Sequence, residues 1–150
     1  MTKTEPLFHV VPYDAKIHAS AVYAIEKECF EPENRWVWEE FRSVFRDNPV
    51  FVAVRLGTAV GFILSWEEGK EAHIAHLGVT EKARGLGVGT TLMAKAENYW
   101  RERGKRCLTL NVLVDNSAQI MYYELDFRVY GFRKHPEPSN CAVKMRKTLY

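Results

Sequence analysis

The sequence predicts an α/β fold (α+β by some schemes): one mixed, mostly antiparallel sheet of about seven strands with helices on both faces. Two observations predict it. Strand-length apolar runs alternate with stretches of three-and-four apolar spacing, in the order β-α-α-β-β-β-α-β-α-β-β. Between Glu71 and Gly104 a strand-like run, EAHIAHLGV, passes through a glycine-rich turn into a helix. At 150 residues the chain is most simply a single domain, residues 1–150, able to bury roughly two-thirds of its unfolded surface.

Each element has its own signal. Residues 7–13, LFHVVPY, form a short β-rich run. Asp14 is a good N-cap, and behind it Ile17, Ala21, Ile25 and Cys29 recur every fourth residue, predicting a helix to about Phe30 with those four on its apolar face. After EPENRW, a second helix is predicted from about Trp36 to Arg46, with Val37, Phe41, Val44 and Phe45 apolar. Asn48-Pro49 ends it, because the residue before proline avoids the helical region. VFVAVR and AVGFILSW flank Leu56-Gly57-Thr58 and read as a hairpin. EEGK then turns the chain into the strand at Glu71.

In the next helix Leu92, Met93, Ala96, Tyr99 and Trp100 share one face, with Lys95, Glu97, Arg101 and Glu102 between them. Gly104 stands where a left-handed cap ends a helix. CLTLNVLV, residues 107–114, is a continuous apolar run, as expected of a strand covered on both faces. NSAQIMYYEL has the length of two or three helical turns, and FRVYGFRK and CAVKMRKTL are two last strands around the loop HPEPSN.

The turn between strand and helix carries the first chemical signal. The leading N–H groups of a helix lack partners within it and stand at the positive end of its dipole, so they attract anions. Gly85, Gly87 and Gly89 lack a Cβ and let a phosphate approach the backbone, while Arg84 adds a forked cation. A diphosphate cradle is one reading; an ordinary tight turn is the other. No acidic residue follows at the next strand's end, as a dinucleotide fingerprint requires, and Thr90 rather than Lys follows Gly89, which excludes a Walker motif.

Composition narrows the class. Hydrophobic residues are 47% and charged residues 27% of the chain, ordinary for a soluble globular protein. A net charge of +2, with scattered basic residues, implies no nucleic-acid partner. With no leader and no bilayer-length apolar run, no membrane association is expected. Cys29, Cys107 and Cys141 are odd in number and far apart, which argues against a disulfide framework or a zinc site and for a reducing, cytoplasmic setting.

Arg84, Gly87 and Gly89 fit the pattern Arg/Gln-x-x-Gly-x-Gly/Ala, preceded by Val79. In this the chain resembles the GNAT superfamily of acetyl-CoA-dependent N-acetyltransferases, where the motif's amides hold the pyrophosphate of coenzyme A. The order of elements is also that of the GNAT superfamily, so the resemblance covers nearly the whole chain. Its second landmark is Asn-x-x-Ala, a Tyr four residues on, and Gly-Phe beyond. Ala118, Tyr122 and Phe127 fit it ungapped, while Asp115 stands for the usual Asn and Asp126 for the usual Gly. A gapped register would use Asn116 and Tyr123 instead.

Acetyl transfer from a thioester to an amine needs a route for the amine's proton, a donor for the thioester oxygen and help for the departing thiolate. The resemblance implies Tyr122 as the acid and the Leu77 N–H at the acetyl oxygen, with the N–H and C=O of Leu77 and Val79 along the pantetheine arm. It likewise implies Arg84, Gly85, Gly87, Gly89 and Thr90 around the diphosphate, with Asp115 and Asn116 beside the cofactor. Many relatives carry a base four or six residues before Val79. Those positions are Ala75 and His73, and a neutral imidazole suits a base at neutral pH. Strand alternation puts His73 on the face of Leu77 and His76 on the other. Glu31, Glu33 or water are alternative proton carriers, though the two glutamates read more simply as a solvated loop.

The expected activity is therefore direct transfer of an acetyl group from acetyl-CoA to a primary amine, without a metal, by a monomer or homodimer. CFEPENRW resembles the acceptor loop of protein N-terminal acetyltransferases, including those acting on ribosomal proteins, so a protein N-terminus is one acceptor. A small-molecule amine (polyamine, amino acid or aminoglycoside) is another. A catalytically inactive acyl-CoA-binding module and a nucleotide-binding protein are the readings from other classes.

Overall fold

A computed structural model describes residues 7–150. The elements are β1 (His9–Pro12), α1 (Ala15–Cys29), α2 (Trp38–Asp47), β2 (Val50–Arg55), β3 (Thr58–Glu68), β4 (Glu71–Val79), α3 (Val88–Glu102), β5 (Cys107–Leu113), α4 (Ala118–Glu124), β6 (Arg128–Arg133) and β7 (Ala142–Thr148). This is the predicted order. The strands form one seven-stranded sheet, β1-β2-β3-β4-β5-β7-β6. Its β4–β5 pair is parallel, whereas β1–β2, β2–β3, β5–β7 and β6–β7 are antiparallel. The chain divides into two compact units, one holding the described residues up to Ser65 with His76–Ala96, the other Trp66–Ala75 with Glu97–Tyr150.

In the first unit the predicted cap is present, Asp14 accepting from the Lys16 N–H at 3.0 Å. The buried stripe of α1 is not the predicted one, however. Val22, Ile25 and Glu26 are buried and Ile17 is 73% exposed. At 3.6 residues per turn, each step of four drifts by about 40°, so a run of fours leaves the core face within a few steps. The second helix begins two residues later than predicted, at Trp38, with Val37 extended (ψ 159) as its N-cap, and Glu26 accepts from the Trp36 N–H (3.3 Å). Its Phe41 and Phe45 are buried, and Phe45 meets Phe62 of β3 at 5.4 Å. The neighbouring Gly61 faces the other way, its Cβ position only 3.0 Å from Val88 and 3.2 Å from Leu92 of α3. Helices thus cover both faces of the sheet here. Leu56 and Gly57, at φ 51 and 78, close the predicted hairpin with the positive angles of a type I′ turn.

In the second unit β5 pairs with β7 along its whole length, from Cys107↔Thr148 to Leu113↔Ala142. Leu108, Thr109, Leu110 and Val112 are buried, but Asn111 is exposed. The strand is therefore open on part of one face, contrary to the cover its apolar run predicted. Helix α3 ends as predicted: Gly104 is left-handed (φ 80), and the Lys105 N–H donates to Trp100. Helix α4 ends in the same way at Asp126 (φ 73), with the Phe127 N–H donating to Tyr122. That left-handed angle is why glycine is usual at this position.

Candidate active site

The turn after β4 has the geometry of an anion cradle. Gly85 and Gly87 have φ of 81 and 82, and a Cβ at either would meet nothing within 4 Å. These glycines are needed for the backbone angle and leave open space above it, rather than filling a packed corner. Val88 starts a helix of 15 residues, whose first N–H groups face the end where Thr90 and the turn lie. A diphosphate fits such a site. Arg84 is 56% exposed but already engaged: its Nε donates to the Val79 carbonyl at 3.1 Å, and its Nη2 lies 4.0 Å from Glu28 Oε2. The same carbonyl accepts from Cys29 Sγ at 3.4 Å, so it is already engaged. Leu77 lies half-buried beyond the β4–β5 ladder, which runs over Ala72–Ile74 against Leu108–Leu110.

Glu28 ties this turn to α1. It accepts from Thr80 Oγ1 at 2.7 Å and from the Glu81 N–H at 2.8 Å, and those bonds hold its carboxyl below the ordinary carboxylate range. Burial pushes the neighbouring Cys29 thiol up, so it is a packed group rather than a nucleophile.

A second cluster in the same unit was not predicted. Glu26 is fully buried, with Oε1 at 2.7 Å from His76 Nδ1 and Oε2 on the Trp36 N–H. His76 stacks on Phe30 (3.9 Å between ring centroids) and lies 4.5 Å from Trp36. One carboxylate thus fastens both ends of the 30–36 loop. Glu31 and Glu33 of that loop are exposed, in keeping with the solvated reading.

His73 and Tyr122 belong to the other unit. His73 Nδ1 is 2.8 Å from Thr109 Oγ1 and 3.3 Å from Glu68 Oε2. With that carboxylate as acceptor, Nδ1 carries the hydrogen and Nε2 a lone pair. Burial lowers the His73 pKa, Glu68 works against this, and Arg133 and Lys144 add to it. His73 also lines an open pocket of about 310 Å³ with Thr109, Asn111, Tyr130, Arg133 and Lys144. Tyr122 lies edge-on to Phe127 (6.0 Å), and burial pushes its phenol up to about 12. Tyr123 is 59% exposed, beneath the Arg128 guanidinium. Asp115 and Asn116 are exposed, and Asn116 Oδ1 is already engaged with the Ala118 N–H at 2.8 Å.

The model of the Acetyltransferase (GNAT) family matches residues 19–127. The chain belongs to the GNAT family. An uncharacterised N-acetyltransferase of Methanocaldococcus jannaschii is 35% identical over 111 residues, 72% of this chain and 70% of that protein. N-alpha-acetyltransferase 30 of Schizosaccharomyces pombe is 27% identical over 77% of this chain and 79% of its own length. The crystal structure of the ribosomal-protein-S18-alanine N-acetyltransferase from Escherichia coli superposes with a TM-score of 0.81 at 20% identity, covering 95% of this chain and 94% of that one. The protein is thus a GNAT N-acetyltransferase, and its sheet and helices are those of the family.

The expected residues of this GNAT enzyme divide between the units: the turn with Leu77 and Val79 lies in one, His73 and Tyr122 in the other, where Tyr122 is not among the residues lining the His73 pocket. Sequence reasoning missed Glu26 because a glutamate within a helix is assigned to solvent by default. A usable signal existed: Glu26 adjoins Ile25 and lies four residues after Val22, on the stripe that proves to be buried.

Proposed function

We propose that this enzyme acetylates the α-amino group of a protein N-terminus, taking the acetyl group directly from acetyl-CoA. The observation that supports the chemistry is His73 on an open pocket, its Nδ1 held at 2.8 Å from Thr109 Oγ1 and 3.3 Å from Glu68, with burial lowering its pKa and pushing the Tyr122 phenol of the same unit up to about 12. Environments that drive two titratable groups apart mark a base and an acid. The likeness to N-alpha-acetyltransferase 30 over 77% of the chain supports a peptide acceptor.

In this reading the diphosphate of coenzyme A rests on the turn from Arg84 to Thr90, and the Leu77 N–H donates to the acetyl oxygen. The neutral imidazole of His73 takes a proton from the ammonium, directly or through water. The amine nitrogen then bonds to the thioester carbonyl carbon and gives up its second proton to water, the C–S bond breaks, and the sulfur leaves with the electron pair. Tyr122 donates a hydrogen bond to that sulfur. Because a phenol near 12 is a weaker acid than an ordinary thiol near 8.5, the proton stays mostly on Tyr122 and stabilises the thiolate without full transfer. A cytoplasmic setting suits three free cysteines.

The test is release of free thiol from acetyl-CoA with four acceptors: a peptide with a free α-amine, the same peptide with a blocked α-amine, a polyamine and an aminoglycoside. The proposal requires turnover of the first and none of the second. Faster turnover of the polyamine or aminoglycoside would overturn it.

A further inference from the structure

The pocket beside His73 is polarised. Glu68 at the end of β3 with Glu71 and His73 of β4 form one wall, Thr109 and Asn111 of β5 its floor, and Tyr130, Arg133 and Lys144 its β6–β7 wall. Glu71 is 3.3 Å from Arg146 Nη2 and so is compensated. Glu68 faces only His73, whose lowered pKa keeps it neutral, so the charge of Glu68 stands. Among the described residues neither Arg133 nor Lys144 is in an ion pair, and Lys144 Nζ lies 5.2 Å over the Tyr130 ring. Negative charge therefore stands at Glu68 and positive charge at Arg133 and Lys144, and among the described residues no salt bridge joins these three.

Building on the N-terminal reading above, we infer that the acceptor is a chain with a carboxylate within about three residues of its α-amine, its ammonium drawn to Glu68 and His73 and its carboxylate to Arg133 and Lys144. The strand register sets the span. His73 pairs with Thr109 on β5, and Asn111 of β5 pairs with Lys144 on β7. Two strand spacings across and two residues along β5 make about 12 Å, and an extended chain advances about 3.3 Å per residue. An acidic side chain at the second or third position fits. Exposed Tyr130 and Phe132 offer apolar surface to the stem between the charges. A polyamine or aminoglycoside would instead bring a second cation against Arg133 and Lys144, which is repulsive.

Three peptides with a free N-terminal alanine and Glu, Gln or Lys at positions two and three test this by their kcat/KM. A charge-assisted hydrogen bond is worth tenfold or more, so the Glu peptide should exceed the Gln peptide by about tenfold and the Lys peptide should be slowest. The double substitution Arg133→Gln with Lys144→Gln should bring the Glu/Gln ratio close to one. Equal rates for the Glu and Gln peptides, or a preference that survives the double substitution, would overturn the inference while leaving N-terminal acetylation intact. If free glutamate is acetylated and no peptide is, the carboxylate requirement holds and the N-terminal reading fails. Should no carboxylate-bearing acceptor outperform a neutral amine, the inference fails whichever amine reacts.

Discussion

Glu26 Oε1 lies 2.7 Å from His76 Nδ1, joining the middle of α1 to β4 beneath the 30–36 loop. Its second oxygen accepts from the Trp36 N–H. Glu26→Ala strips two donors of their acceptor, and a buried donor left unsatisfied costs about 1–3 kcal/mol. The expected total is roughly 2–5 kcal/mol, read as a lower urea midpoint at unchanged m. Glu26→Gln keeps an acceptor for one donor and should lose less. Parent-like stability of the alanine variant would show that the pair holds nothing.

The turn at Gly87 gives a cleaner separation of stability from binding. A Cβ there meets no neighbour, so Gly87→Ala costs only the left-handed strain, about 1–2 kcal/mol. A bulky residue occupies the space a diphosphate would take, and Arg84→Glu sets a negative charge against it. Calorimetric titration with acetyl-CoA should show both variants folded and binding weakly. Affinity equal to the parent in both would remove the turn from the cofactor site.

Tyr122→Phe removes one donor from a buried ring. Acetyl-CoA affinity should be kept while kcat falls by ~10²–10³-fold, the range for losing one hydrogen-bond donor to developing charge. With its phenol near 12, Tyr122 adds no fall in rate through the mildly alkaline range. Tyr123, exposed under Arg128, should tolerate the same change. A slow Tyr123→Phe with a normal Tyr122→Phe would favour the gapped register, and steady-state kinetics of the pair decides it.

His73 predicts a pH signature. Its pKa is lowered from 6.5, so the base becomes competent as pH rises through a value below 6.5, and kcat/KM climbs there. The acceptor reacts from its ammonium form, so its α-amine, ordinarily near 8, sets the upper limb of the profile. His73→Ala should flatten the lower limb and leave the upper. The same shift has a stability sign: the unfolded chain binds the proton more readily, so stability falls as pH drops below 6.5. An unchanged lower limb in the variant would leave water as the proton carrier.

The sequence made the element order legible because each boundary has a local cause: Asp14 caps α1, Leu56-Gly57 closes the hairpin, Gly104 ends α3. The shape of the turn after β4 was legible for the same reason, since positive φ at Gly85 and Gly87 is a property of the residues themselves. What failed depends on distant partners. The burial of Glu26 is set by His76, fifty residues away, and the occupied Val79 carbonyl by Cys29 and Arg84. The polarity of the pocket at His73 joins β4, β5, β6 and β7, whose registers no local pattern contains.

The most direct test of acceptor identity is fragmentation mass spectrometry of a single peptide bearing both a free α-amine and an internal lysine, after reaction with isotopically labelled acetyl-CoA. Transfer to a protein N-terminus predicts the labelled acetyl group on the α-amine alone. Label on the lysine ε-amine, or an unlabelled peptide under conditions where a polyamine is acetylated, would contradict it.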